Sequence, residues 1–161
     1  MGQQGGITRV WEEKGTRPRA IRQQQFMYTY IYGAVCPEQG TSVGLIIPCV
    51  NADAMKLHVE AISEQVPAGR HALVVSDGAA WHSKKLNCHN VTLMKLPPYS
   101  PELNPVEQIW QWLKQKYLSN RTYKNYEAIE DACCEAWNRF VEDGQRITRM
   151  CSRKWATFNR S

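Results

Sequence analysis

The chain of 161 residues has no run of about 18 apolar residues, and its opening stretch, MGQQGGITRVWEEKG, has no apolar core of the signal-peptide kind. Membrane spans and a secretory leader are therefore not expected, and the reading is a cytoplasmic protein. Met1-Gly2 does not extend to a myristoylation signal, because Gly6 stands where that signal needs Ser or Thr. No Cys-x-x-Cys pair occurs among Cys36, Cys49, Cys88, Cys133, Cys134 and Cys151, which argues for reduced, mostly packed thiols. His82, Cys88 and His89 fall near one another but match no zinc spacing. Asn90-Val91-Thr92 and Asn120-Arg121-Thr122 have the form of glycosylation sequons, which carry little meaning without a secretory signal. Internal repeats and low-complexity segments are absent as well.

What is present fits one domain over residues 1–161, since 43% hydrophobic and 22% charged residues suffice for a core without indicating disorder. The net charge of +5 is unevenly distributed. Residues 1–25 carry +3, the stretch after Asp143 carries +5 with no acid at all, and the middle is at −3. A basic rim around an acidic centre suits a protein that holds a phosphate backbone near carboxylates, although a solvated surface produces the same count. The candidate DNA-contacting cations are Arg17, Arg19, Lys114, Arg146, Arg149, Arg153 and Lys154, and the basic tail spans about 144–161.

In chain order, Ile7–Trp11 and Arg19–Gln23 flank a Gly- and Pro-bearing loop and read as a polar hairpin. Phe26–Cys36 and Ser42–Val50 read as antiparallel strands around a turn at Pro37–Gly40. Met55, Val59, Ile62 and Val66 recur at helical spacing after Asn51 or Asp53, so Ala52–Val66 is a helix, with His58 on its polar side at the surface. His71–Ser76 is a continuous apolar run of the kind buried on both faces of a central strand, and Val91–Leu96 supplies a further strand.

The organising stretch is LMKLPPYSPELNPVEQIWQWLKQKY, from Leu93 to Tyr117. It passes from a strand end through a proline-rich turn into an amphipathic helix, about Pro105–Leu118, with Val106, Ile109, Trp110, Leu113 and Tyr117 on its buried stripe. Asn104 can cap this helix, Pro105 suits its first position, and Glu107 falls where a capping box puts its acid. Trp110 and Trp112 read as packing residues. A last long helix, about Tyr126–Val141, stops at Gly144, with at most a further turn around Ile147–Met150. Asp77 closes the apolar run that begins at His71, and ligands gather at such strand ends in open α/β sheets. A strand ending in Asp and a later helix beginning with Glu can bring two carboxylates to one metal.

SDGAAWH (Ser76–His82) followed by PPYSPELNPVEQIW (Pro97–Trp110) resembles the catalytic domain of the mariner-like superfamily of DDE transposases, especially its bacterial insertion-sequence branch. The resemblance extends to VWEEKGTRPR and so covers nearly the whole chain. It implies an α/β, RNase H-like fold, a mixed sheet flanked by helices, and DNA cleavage and joining by three carboxylates holding two magnesium or manganese ions. Asp77 matches the second acid of that set, Glu107 the third, and His82 an auxiliary position. The first acid belongs to a strand upstream of the VWEEKGTRPR-like hairpin, and nothing in MGQQGGITR is acidic. The interval of 30 residues between Asp77 and Glu107 is short for the pattern. The expectation is a catalytic domain lacking its first strand and first acid, completed by another polypeptide, for instance through frameshifted expression. The alternative is a non-catalytic remnant that binds DNA or dimerises and interferes with intact transposase. Double-stranded DNA, with nucleoid association, and a second transposase copy are the partners the resemblance implies.

Overall fold

The computed structural model describes residues 14, 27–77, 88–98, 100 and 103–156. The expected hairpin at Ile7–Gln23, with Arg17 and Arg19, lies outside the described residues apart from Lys14, as does His82. Four strands and four helices follow in the order β1 (Tyr30–Cys36), β2 (Thr41–Ile47), α1 (Ala52–Gln65), β3 (Ala72–Ser76), β4 (Val91–Lys95), α2 (Val106–Leu113), α3 (Tyr126–Val141) and α4 (Gly144–Cys151).

β1 and β2 form an antiparallel hairpin in which Tyr30 faces Ile47 and Cys36 faces Thr41. Its turn closes with the Gly40 amide donating to the Cys36 carbonyl at 2.9 Å, and Gly40 has φ +66°, the left-handed conformation that glycine adopts without steric cost. β3 and β4 pair in parallel, Ala72 beside Val91 and Ser76 beside Lys95. Among the described residues these are two separate two-stranded sheets, where the family resemblance implies a mixed sheet. β3 is also not buried on both faces as its apolar run suggests, because Leu73 is 50% exposed. Side chains alternate along a strand, so Ala72 and Val74 pack beneath α1 while Leu73 points the other way.

α1 lies over both sheets. Asn51 caps it, its side-chain oxygen accepting from the Ala54 amide at 2.8 Å. Met55, Val59 and Ile62 are buried as their spacing requires, and they share a core with Tyr32, Val43, Val74 and Leu93 from the four strands. His58 corrects the sequence reading. It is 4% exposed, because the buried stripe is wide enough to take in Ala54 and His58 beside Met55, Val59 and Ile62. Asn90, in the first sequon, ties this helix to β3 and β4. Its Nδ2 donates to the Ser63 carbonyl at 2.9 Å, and its carbonyl accepts from the Ala72 amide at 2.8 Å.

A second core gathers α2, α3 and α4 against the β1–β2 hairpin, with Ile109, Leu113, Cys133, Ala136, Phe140 and Ile147 each at 0% exposure. Trp110 and Trp112 pack against it as expected. α3 begins and ends where its periodicity places it, capped by Asn125, which accepts from the Ala128 amide at 3.0 Å. α3 ends before Gly144 as expected, and the further turn around Ile147–Met150 proves to be part of a longer helix, α4, of which Gly144 is the first residue. That helix is capped by Asp143, and Gly144 packs against Gly40, where a Cβ on Gly144 would stand 2.9 Å from the Gly40 carbonyl oxygen. All six cysteines are free thiols.

Candidate active site

Parallel pairing puts the carboxyl ends of β3 and β4 side by side. The Ser76 carbonyl accepts from the Leu96 amide at 2.8 Å, extending the ladder by one bond beyond Lys95. Asp77 follows immediately and is exposed. On the neighbouring strand the chain leaves through Pro97 and Pro98, which have no amide to continue a ladder, and enters α2. The Ser76 hydroxyl is buried without a hydrogen-bond partner, a polar atom turned inward beside the acid.

α2 presents Glu107 in its first turn, exposed to solvent. The start of the helix departs in detail from a capping box. The Asn104 side chain accepts from the Val106 amide at 3.2 Å, and the Glu107 amide donates to the Asn104 backbone carbonyl at 3.3 Å. Behind Glu107, Ile109 and Leu113 are fully buried and Trp110 lies against Trp137 at 6.1 Å between ring centroids, so the helix is fixed by its apolar face. It reaches Leu118 as expected, but its last stretch, Lys114–Leu118, is a π-helical turn closed by the Ser119 amide on the Lys114 carbonyl at 2.8 Å. Such turns recur at functional sites. Lys114 is exposed there.

The expected cations divide by environment. The Arg146 guanidinium is occupied by the fold: Nη1 donates to the carbonyls of Arg139 at 2.6 Å and Phe140 at 3.2 Å, closing the end of α3. The same group stacks over Trp112 at 4.9 Å from the ring centroid and lies 3.8 Å from an Asp143 carboxylate oxygen. Arg149 meets that oxygen at 3.2 Å and is otherwise solvated. Arg153 donates to the carbonyls of Met150 and Ser152 at 3.1 and 2.9 Å. Lys154 is exposed.

Sequence reasoning missed Gln108. With its carboxamide oriented to satisfy both neighbours, Nε2 donates to the Met150 carbonyl at 2.8 Å and Oε1 accepts from Arg153 Nη2 at 3.0 Å. The residue after Glu107 thus fastens the first turn of α2 to the end of α4. Periodicity could not reveal this, because Gln108 lies off the buried stripe. His58 was missed for the opposite reason: it lies on the buried face of α1, its ring 5.8 Å from that of the half-buried Tyr32. Burial lowers the His58 pKa to about 4 and leaves Nδ1 without a partner.

Among the described residues no group of three or more His, Cys, Asp or Glu side chains is arranged to hold a metal. No described helix is long and apolar enough to cross a membrane. An open cleft lined by Arg121, Tyr123, Asp131 and Glu135 involves neither Asp77 nor Glu107.

Comparison with known proteins adds the family. Residues 2–130 match the model of the family described as DDE superfamily endonuclease. The chain is also 46% identical over 132 residues to an uncharacterized protein, y4pE/y4sA, of Sinorhizobium fredii (strain NBRC 101917 / NGR234), an alignment covering 81% of this chain and 98% of that one. No solved structure matches.

Proposed function

For a chain that belongs to the DDE superfamily of endonucleases, we propose metal-dependent cleavage and transfer of DNA strands, as in transposition, with Asp77 and Glu107 as carboxylate ligands in an RNase H-like domain of the mariner-like, insertion-sequence kind. The family acts on DNA and generally uses divalent metal ions. The observation that carries the reading is the link from β3 to α2. Asp77 leaves the carboxyl end of a parallel strand pair, and the neighbouring strand runs from that same end through a proline turn to the helix that opens with Glu107.

The donor set fits the ion. Magnesium takes hard oxygen ligands, keeps several waters, and is commonly bound by one or two carboxylates together with substrate phosphate. Asp77 and Glu107 supply two carboxylates, both open to solvent and so to a phosphate. When bound, a pair of such ions about 3.5–4 Å apart supports in-line phosphoryl displacement by polarising the attacking and leaving oxygens. The chain's own part is to hold these carboxylates on rigid elements and to meet the phosphate backbone with Lys114, Arg149 and Lys154, which are exposed. Arg17, Arg19 and the auxiliary His82 belong to the same proposal.

The second reading is a non-catalytic remnant that binds DNA or dimerises with intact transposase and so interferes with it; among the described residues no group of three or more His, Cys, Asp or Glu side chains is arranged to hold a metal.

The experiment is a melting titration. Magnesium or manganese should raise the melting temperature, because a ligand that binds only the folded state stabilises it. Asp77→Asn combined with Glu107→Gln should remove the shift. A shift that survives the double substitution means that the metal binds elsewhere.

A further inference from the structure

Trp155 stands apart from the other described tryptophans. Trp110, Trp112 and Trp137 pack into the core of α2, α3 and α4, whereas Trp155 is 45% exposed on the single 3₁₀ turn Lys154–Ala156 that follows α4. Its backbone is held. The Ala156 amide donates to the Arg153 carbonyl at 3.0 Å, and the preceding helix is anchored by Ile147 and Cys151, at 0% and 1% exposure. Arg153 is half-buried and locks the turn, donating to the Met150 and Ser152 carbonyls behind it and to Gln108 across on α2. The backbone that carries the exposed indole is therefore tied, through one arginine and one glutamine, to the helix turn that carries Glu107. Lys154 beside it is exposed, and residues 144–161 contain no acid.

We infer that Trp155 is a stacking platform for an unpaired nucleobase of a DNA end, with Lys154 meeting the adjoining phosphate. This rests on the reading that the chain acts on DNA. An aromatic face on a held backbone beside a cation is the combination that binds single strands, because every base has a π-face and the backbone is anionic. One exposed indole amid like charges is far less apolar area than a stable protein interface needs. Enzymes that take a base out of the duplex hold it by stacking on aromatic or apolar side chains.

The test uses the full chain without metal, so that the carboxylates play no part. Anisotropy titrations compare a labelled blunt duplex with the same duplex bearing a short oligothymidine overhang. The wild-type chain should favour the overhang. Trp155→Ala should weaken overhang binding by about tenfold, within the range that loss of one stacked base produces, and blunt binding by less than about twofold. Trp155→Phe should keep most of the preference. Lys154→Ala should weaken both substrates and reduce the salt slope by about one. The Asp77→Asn, Glu107→Gln variant should retain the overhang preference, which separates this inference from the metal-site proposal. Equal losses on both substrates, no loss on Trp155→Ala, or a wild-type chain indifferent to the overhang would overturn it.

Discussion

Gly33 lies directly opposite Gly44 in the β1–β2 hairpin, and the indole of Trp137 rests on the bare backbone of both. A Cβ at Gly33 would come within 2.5 Å of Trp137 Cη2 and 2.8 Å of Trp110 Cη2, and one at Gly44 would meet the Trp137 ring. The paired glycines therefore let α3, and through Trp110 also α2, sit close against the hairpin. The position of the helix bearing Glu107 depends on two hydrogen atoms in a strand pair.

Gly33→Ala and Gly44→Ala should each destabilise the chain by about 1–3 kcal/mol, the usual cost of overpacking a filled core. Urea unfolding measures it as a lower midpoint at unchanged slope. Trp137→Leu in the Gly44→Ala background should recover part of the loss, since the clash is with the indole; purely additive losses would show that the ring is not the obstacle.

Stability should fall in mild acid. His58 titrates at about 4 in the folded chain against an ordinary 6.5, so the unfolded chain takes up a proton that the folded one refuses. The stabilising contribution is whole above 6.5, is lost as pH falls from there toward 4, and changes no further below. Its size is at most about 3 kcal/mol at 1.36 kcal/mol per pH unit. His58→Leu should flatten this part of the stability profile, whatever it does to stability at neutral pH.

Arg146 and Lys154 should separate folding from DNA binding. Arg146→Ala removes the group that closes α3 and covers Trp112, and should cost about 1–3 kcal/mol of stability. Lys154→Ala should leave the melting temperature within about 1 °C and lower duplex affinity with a shallower salt dependence. A salt-independent affinity would show that the basic rim does not hold phosphate.

The thiols should react in two classes. Cys133 and Cys151 are buried, which pushes each thiol up to about 11, whereas Cys49 and Cys134 are exposed. Iodoacetamide at pH 8, followed by peptide mass spectrometry, should label Cys49 and Cys134 in the native chain and reach Cys133 and Cys151 only after unfolding. Labelling of Cys133 at the rate of its neighbour Cys134 would contradict the helix orientation.

Local signals were legible wherever one element alone decides the outcome. The turn at Pro37–Gly40, the start of α1 near Asn51 and the whole of α3 follow from hydrogen bonding and periodicity within a few residues. Asp77 and Glu107 were legible for the same reason, because a strand end and a helix start are local features. Gln108 and the role of Arg146 were not, since each depends on a partner far along the chain. His58 misled because a polar residue type outweighed its place beside the apolar stripe.

The sequence by itself thus determined the elements, the family motif and the two candidate carboxylates, since backbone geometry and turn chemistry act over short distances. Tertiary structure decided that β3 pairs with β4 apart from the β1–β2 hairpin, that His58 is buried beside Tyr32, that Gly144 begins a helix against Gly40, and that Arg153 and Gln108 join the basic end to α2. These outcomes depend on close packing between segments remote in sequence, where the volume left by one side chain fixes what another can be.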